Sequence, residues 1–384
     1  MNEYIYFDSN ASTGLNDNAL ITRKNLEKYS YLNISNDNNK LSKKFLKYFE
    51  WHKKLIAFKL NVNPDYLYFT SGASESNITI FHIISILFPD GAEVITSSIE
   101  HKSLLEASKK YQNITTRYIK PNQKNNRITL DDIIPEINKN TKLISIMGSN
   151  NETGFINDIV EIANYAKEKK ILIHSDITQY IGKTIEGLNL LNSFSSSFHK
   201  TNGPKGVGLF YCDFISENHK AYSLIPGTQQ LGLRGGTINF ESIISGINAL
   251  VEILSNREEK NKIMLDKKNL ILNKISENKM ISFYRSDKEM PNTILFSLGS
   301  LMSSIKFSNY LFNNFKIIIG FGSACNGNTS SYVVDELNVS NNIMKLNIIR
   351  LSFDDYISFD ACKFVSEKIL LTLNRNKLKN EIDF

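Results

Sequence analysis

The chain has 384 residues, 41% of them hydrophobic and 22% charged, with a formal net charge of +6. That balance supports a sizeable core, and the lack of any apolar run near the ~20 residues of a membrane crossing excludes a membrane-spanning helix. The mild, scattered positive charge argues against a nucleic-acid footprint, and the basic clusters at 167–170 and 257–260 read as solvated helix faces.

The first residues, Met1 to Asp8, lack a basic-then-apolar secretion signal, so a cytoplasmic protein is expected. Further on, the short apolar runs 92–96, 143–147 and 171–174 predict buried strands, and 159–170 predicts a helix between the last two. This alternation predicts an α/β fold with a mostly parallel sheet, whose ligands sit beyond the carboxyl ends of its strands. The polar stretches to inspect are therefore 97–101, 149–152 and 176–179. A Ser/Phe strand precedes His199 and Lys200, and 207–211 predicts another strand. From Asn239 the apolar positions Ile243, Ile247, Leu250 and Leu254 predict a helical stretch that continues, through a more polar part, towards Ile275. It is long enough to bridge two domains. Residues 293–298 and 316–319 predict strands of a smaller α+β unit.

Three cysteines, Cys212, Cys325 and Cys362, stand far apart without C-x-x-C spacing, which gives neither a disulfide framework nor a zinc site. No metal is expected. Cys212 ends an apolar strand and Cys362 lies in a predicted helix, so both read as buried and inert. Cys325 sits instead in Phe321-Gly-Ser-Ala-Cys-Asn-Gly-Asn-Thr-Ser330, where no neighbour could pack a sulfur into a core.

Asp176 ends a strand otherwise too apolar for a charge, with Gln179 three residues on, and Lys200 follows a later strand. A lone lysine there is usually solvated. Together the three make sense if the ligand is pyridoxal phosphate: the lysine forms the Schiff base and the carboxylate keeps the pyridine nitrogen protonated. Thr70-Ser-Gly-Ala-Ser-Glu-Ser-Asn77 offers a phosphate turn at a helix start, although such turns also serve as ordinary caps.

Eight segments now carry a resemblance: Phe69-Thr-Ser-Gly-Ala-Ser-Glu-Ser-Asn77, Glu100-His-Lys102, Ser149-Asn-Asn-Glu-Thr-Gly154, His174-Ser-Asp-Ile-Thr-Gln179, Ser197-Phe-His-Lys-Thr-Asn-Gly-Pro-Lys-Gly206, Gly232-Leu-Arg-Gly-Gly-Thr237, Gly322-Ser-Ala-Cys325 and Ile349-Arg-Leu-Ser352. In this order they resemble the motif series of the cysteine desulfurases, fold-type I pyridoxal phosphate enzymes of the class V aminotransferase group. The resemblance implies a large mostly parallel-sheet domain at 13–252 and a small α+β domain from 1–12 plus 253–384. It implies that Lys200 is the Schiff-base lysine and moves the substrate α proton, that Asp176 meets the pyridinium, that Gln179 meets the ring hydroxyl, and that His101 stacks on the ring. Ala73, Ser74, Ser197 and His199 would hold the phosphate, with Thr237 arriving from the second subunit of a homodimer. Arg350 and Asn151 would hold the substrate carboxylate. Cys325 would attack the sulfur of L-cysteine and carry it as a persulfide to an acceptor or scaffold protein, for iron–sulfur cluster assembly or tRNA thiolation.

Some positions depart from that pattern. A characteristic Asn-Pro-Ser-Ser segment is replaced around Asn33–Asn36, an arginine of the glycine-rich segment is Leu231, and an arginine following Arg350 gives way to Asp354 and Asp355. Alternatives are a selenocysteine lyase, another C–S lyase or a class V aminotransferase on the same fold, and a degenerate copy that only binds sulfur-transfer partners.

Overall fold

The computed structural model describes residues 4–36, 38–215, 218–321, 331–339 and 342–382. Strand β1 (Ile5–Phe7) and helices α1 (Asp17–Glu27) and α2 (Lys40–Leu60) lead into the larger sheet. Its strands are β2 (Leu67–Thr70), β3 (Ala92–Ser97), β4 (Ile114–Ile119), β5 (Thr141–Ser145), β6 (Leu172–Asp176), β7 (Ser193–Ser197) and β8 (Gly208–Cys212). They lie in the order β2-β8-β7-β6-β5-β3-β4. Strands β4, β3, β5, β6 and β7 run parallel, and β8 is antiparallel to both its neighbours. Helices α3 (Ala73–Leu87), α4 (Lys102–Ala107), α5 (Leu130–Ile133) and α6 (Ile159–Glu168) lie between the strands in sequence.

Period-two alternation splits the apolar side chains between two cores. Val94 and Leu143 pack with Ile80 and Ile84 of α3, whereas Ile95, Ile144 and Ile173 pack with Ile159 and Ile162 of α6. Strands β3, β7 and β8 are buried at every position, β8 (Gly-Leu-Phe-Tyr-Cys) as an apolar run but β7 (Ser-Phe-Ser-Ser-Ser) through small hydroxyl side chains.

The rest of the chain forms α7 (Phe240–Ser255), α8 (Arg257–Ile275), β9 (Ser282–Tyr284), β10 (Thr293–Ser297), α9 (Ser304–Phe315), β11 (Ile317–Phe321), α10 (Tyr332–Glu336), β12 (Ile348–Ser352) and α11 (Phe359–Ile382). A second sheet runs β1-β11-β12-β10-β9, antiparallel except where β1 joins β11. Phe7, Phe296, Phe307 and Ile349 fill its core. The first strand therefore belongs to the second sheet, and the chain after Phe7 passes directly between the two.

Three expectations need correction. The stretch 239–275 is two helices, because Asn256 (φ −115°, ψ 18°) leaves the helical region and caps the first. The strand expected at 143–147 ends at Ser145: beyond it Ile146 and Gly148 still donate to His174 O and Asp176 O on the β6 side, but on the other side the Met147 N–H donates to the Glu100 side chain, at 2.8 Å, and not to a strand. Lys260 is not on a solvated face: it is buried and donates to Asp355 Oδ2 at 2.6 Å. Cys212 and Cys362 are free and buried, and burial pushes the Cys362 thiol up to about 11. Among the described residues no helix is long and apolar enough to cross a membrane.

Candidate active site

The carboxyl ends of β5, β6 and β7, the start of α3 and the ends of β11 and β12 enclose a cavity of about 350 Å³. Ala73, Ser74, His101, Asn151 and Asp176 line it, as do Gln179, Ser197, His199, Lys200 and Arg350. Sequence reasoning thus brought ten residues from distant segments to one place. Thr237 does not line the cavity and is exposed. Cys325 lies outside the described residues.

At one end, Gly72 (φ +153°) turns the chain from β2 into α3, and no side chain caps this helix. The first turn of a helix leaves N–H groups unpaired and carries positive potential, which suits an anion. Ser197 Oγ accepts the Ala73 N–H at 2.7 Å, placing the end of β7 against this turn. Gly208 of β8 leaves no room for a Cβ, which would collide with Ser196 O and the Gly72 backbone. Glu75 in the first turn is held by Arg234, whose Nε and Nη2 donate to its two oxygens at 2.9 and 3.2 Å. Burial, with the charges of Lys200 and Lys205, pushes His199 down to about 4, so its imidazole is neutral at physiological pH and has one N–H to donate.

Asp176 is 4% exposed. Its oxygens accept the Asn77 Nδ2 amide at 2.9 Å and the Thr178 N–H at 3.0 Å. These bonds help hold the carboxylate at the end of an apolar strand. Gln179 Nε2 donates to Asn10 O at 2.9 Å. His101 caps α4, with Nδ1 2.8 Å from Ser103 Oγ.

Lys200 ends a single 3₁₀ turn after β7. Its Nζ donates to the carbonyls of Asn10 and Ala11, each at 2.7 Å. Burial pulls this amine down to about 8; Arg350 acts in the same direction, and Asp8 and Asp176 oppose it. Arg350 Nη1 donates to Asn151 O at 3.0 Å and Nη2 to Asp8 Oδ1 at 2.5 Å, while its buried Nε has no hydrogen-bond partner among the described residues.

The sequence assigned no role to the segment after β1. Asn10 joins both sheets, donating from Nδ2 to Asn151 O and Thr293 Oγ1 and from its N–H to Ser352 Oγ. Its one signal was a polar run directly after a short apolar strand. Glu152 was inside a stretch marked for inspection but had no role: it is 1% exposed, lines the cavity, and accepts the Ser331 hydroxyl at 2.5 Å. Leu231 is 60% exposed with φ +59°, and Asp354 and Asp355 do not reach this cavity.

The cavity suits pyridoxal phosphate on its own chemistry. Ser149 Oγ, Asn151 Oδ1, Thr178 Oγ1 and Arg350 Nε are all buried without a hydrogen-bond partner among the described residues, and all belong to residues that line it. Buried polar groups are almost always paired, so this concentration points to a polar ligand. An uncapped helix start, an acid at a strand end and a lysine with a depressed pKa match its phosphate, ring nitrogen and aldehyde.

A family model described as Aminotransferase class-V matches residues 5–362. The chain belongs to the class-V aminotransferase family. Its cofactor is pyridoxal 5'-phosphate, on which enzymes of this family depend. Among curated relatives, this class-V chain is 30% identical to the cysteine desulfurase IscS of Plasmodium falciparum over 94% of its own length and 66% of that protein's. It is 34% identical to a NifS/IcsS protein homolog of Lactobacillus delbrueckii subsp. bulgaricus over 71% of each. Among solved structures, a NifS-like protein superposes with a TM-score of 0.86 at 26% identity, covering 97% of this chain and 99% of that one. SspA in complex with cysteine superposes with a TM-score of 0.77 at 27% identity, covering 92% and 100%.

Proposed function

We propose that this class-V chain is a pyridoxal-phosphate-dependent cysteine desulfurase that converts L-cysteine to L-alanine and takes the sulfur on Cys325 as a persulfide. The observation that carries this reading is where the chain flanking Cys325 lies. Phe321, at the end of β11, lines the cavity, and Ser331 donates to Glu152, which lines it too. Both described ends of the segment holding that cysteine therefore stand at the cavity that contains Lys200 and Arg350. Relatives named cysteine desulfurases and the structural likeness to SspA in complex with cysteine support the same substrate.

When bound, the cofactor supplies an aldehyde for the substrate amine and a ring that withdraws electrons from its α carbon. Ala73, Ser74, Ser197 and His199 would hold its phosphate, Asp176 would keep a proton on the ring nitrogen, and Gln179 and His101 would hold the ring. Arg350 binds the substrate carboxylate with Asn151 beside it; a guanidinium with a free Nε–H has a donor in reserve for that anion. Lys200 would move the substrate α proton. The Cys325 thiolate then attacks the substrate Sγ: an S–S bond forms, the Cβ–Sγ bond breaks, and a proton at Cβ completes alanine.

Thr237 reaches the phosphate from the second subunit of a homodimer. The large domain is 13–252, and 1–12 with 253–384 forms the small one. The persulfide passes to an acceptor protein in the cytoplasm, for iron–sulfur cluster assembly or tRNA thiolation.

The test is to give the holoenzyme L-cysteine and a thiol reductant and to quantify alanine and sulfide beside Cys325→Ala. Equal products that vanish in the variant support the proposal. Alanine that survives the variant selects a lyase without a cysteine carrier.

A further inference from the structure

Lys200 stands between two cavities. Behind it, away from the cofactor cavity, lies a chamber of about 40 Å³ walled by Lys183, Asp354, Asp355 and Lys260, with Ser9 and Thr13 nearby. Among the described lining residues, Lys200 alone belongs to both cavities. One water needs roughly 10–15 Å³ of such space and two or more polar partners, so the chamber has room for water.

The charges in its wall are unevenly satisfied. Lys260 on α8 is committed to Asp355 Oδ2 at 2.6 Å, and Lys267 of the same helix donates to Asp355 O at 2.8 Å. Asp354 accepts the Tyr356 N–H at 3.1 Å. Lys183, which follows Gly182 beyond β6, makes no side-chain hydrogen bond or ion pair within the protein among the described residues, although Asp354 is its nearest electrostatic partner. Asp354 and Asp355 are also the positions at which the sequence departs from the cysteine desulfurase pattern.

We propose that this rear chamber is a water-filled proton reservoir for Lys200, with Lys183 and Asp354 as its exchanging groups, open to solvent exchange while cofactor and substrate fill the front cavity. The inference rests on the reading of Lys200 as the group that moves the α proton. In each turnover the α proton makes the Lys200 amine an ammonium. Through chamber water the ammonium gives up a proton to Lys183 or Asp354 and receives one that originates in solvent, so the exchange consumes nothing. The energetics suit such a relay: burial brings the Lys183 amine down to about 8, level with Lys200, and a proton passes with little cost between matched groups. Burial and Asp355 raise Asp354. The other charges facing Lys200 are Arg350 of β12, Asp8 after β1 and Asp176 of β6. None of the three lines the rear chamber.

The experiment follows a label. The holoenzyme turns over cysteine deuterated at Cα in ordinary water, and mass spectrometry measures deuterium retained in alanine. The wild type is expected to lose most of the label. Lys183→Met, Asp354→Asn and Lys183→Arg should each retain several-fold more, the last because a guanidinium keeps the charge but does not release a proton. In cofactor-free protein, competitive acetylation across pH should show the Lys200 midpoint rising in Lys183→Met and falling in Asp354→Asn. A wild type that retains its label, or variants that lose it as the wild type does, overturns the reservoir. Label lost by Lys200→Ala holoenzyme overturns instead the reading of Lys200 as the base. Should one variant fail to fold, the others and the wild-type retention still decide.

Discussion

Arg350 Nη2 and Asp8 Oδ1 lie 2.5 Å apart, joining residues 342 positions apart in the sequence across the neighbouring ends of β12 and β1. Gly320 of β11 makes room for them, because a Cβ there would collide with Asp8 Oδ1 and crowd Arg350 Nε and Nη2. Asp8 and Asn151 O thus fix the guanidinium plane and leave Nε for a ligand. Asp8→Ala should raise KM for cysteine about tenfold, equivalent to about 1.4 kcal/mol of lost binding, with a smaller change in kcat. Asp8→Asn should recover part of the loss through its amide oxygen, and Gly320→Ala should resemble Asp8→Ala. Steady-state kinetics of the four proteins check this.

On the proposed role of Lys200 as the Schiff-base lysine, its amine must be unprotonated to react with the cofactor aldehyde. Since burial and Arg350 lower its pKa from 10.5 to about 8, the rate at which cofactor-free protein takes up pyridoxal phosphate should climb through pH 8 and level off well below pH 10. Stopped-flow absorbance gives the profile. Lys200→Ala should give no adduct that borohydride can fix.

Glu100 is fully buried, and burial raises its pKa from 4.5 to about 8, with Asp176 adding to the rise and the Ser97 and Met147 hydrogen bonds opposing it. Between those values the folded protein holds a proton that the unfolded chain has lost, so this group makes stability fall as pH rises from about 4.5 to 8. The buried amines act in the next window: the folded pKa of Lys200 and Lys183 is depressed to about 8, and their contribution rises with pH from there to 10.5. Glu100→Gln should therefore flatten the loss between pH 5 and pH 8 (roughly one pKa unit being 1.4 kcal/mol) and leave the alkaline limb in place. Denaturant unfolding at several pH values checks the prediction.

Ser331→Ala removes the hydroxyl donor of Glu152 and leaves a carboxylate that is 1% exposed with one partner fewer. The expected cost is about 1.5–3 kcal/mol in unfolding free energy, typical of a hydrogen bond to a charged group. Combining it with Glu152→Gln should cost less than the single change, because no charge is then stranded. A double-mutant cycle by chemical denaturation measures the coupling.

Lys200, Asp176 and the turn at 70–77 were legible because each breaks a local rule: a charge at an apolar strand end, or a glycine where a helix begins. The alternation of apolar runs likewise announced the parallel sheet. Asn10 and Asp8 were not legible in the same way. Asn10 meets Lys200 and Gln179 through its backbone carbonyl, which any residue possesses, and Asp8 matters only through a pairing that folding creates. Lys260 reads as a surface residue in its own helix, and its burial follows from Asp355, almost a hundred residues away. The break at Asn256 was hidden because the polar run 255–262 that spans it contains no glycine or proline to announce a stop.

The proposed function requires that sulfur pass from L-cysteine to Cys325. The most direct measurement is to mix holoenzyme with a single equivalent of L-cysteine, without reductant, quench with an alkylating agent and read the peptide containing Cys325 by mass spectrometry. This peptide should carry one additional sulfur atom between Cys325 and the alkyl group, in step with alanine formed, with no added sulfur on Cys212 or Cys362. Alanine formed in equal amount with no added sulfur on Cys325 would contradict it.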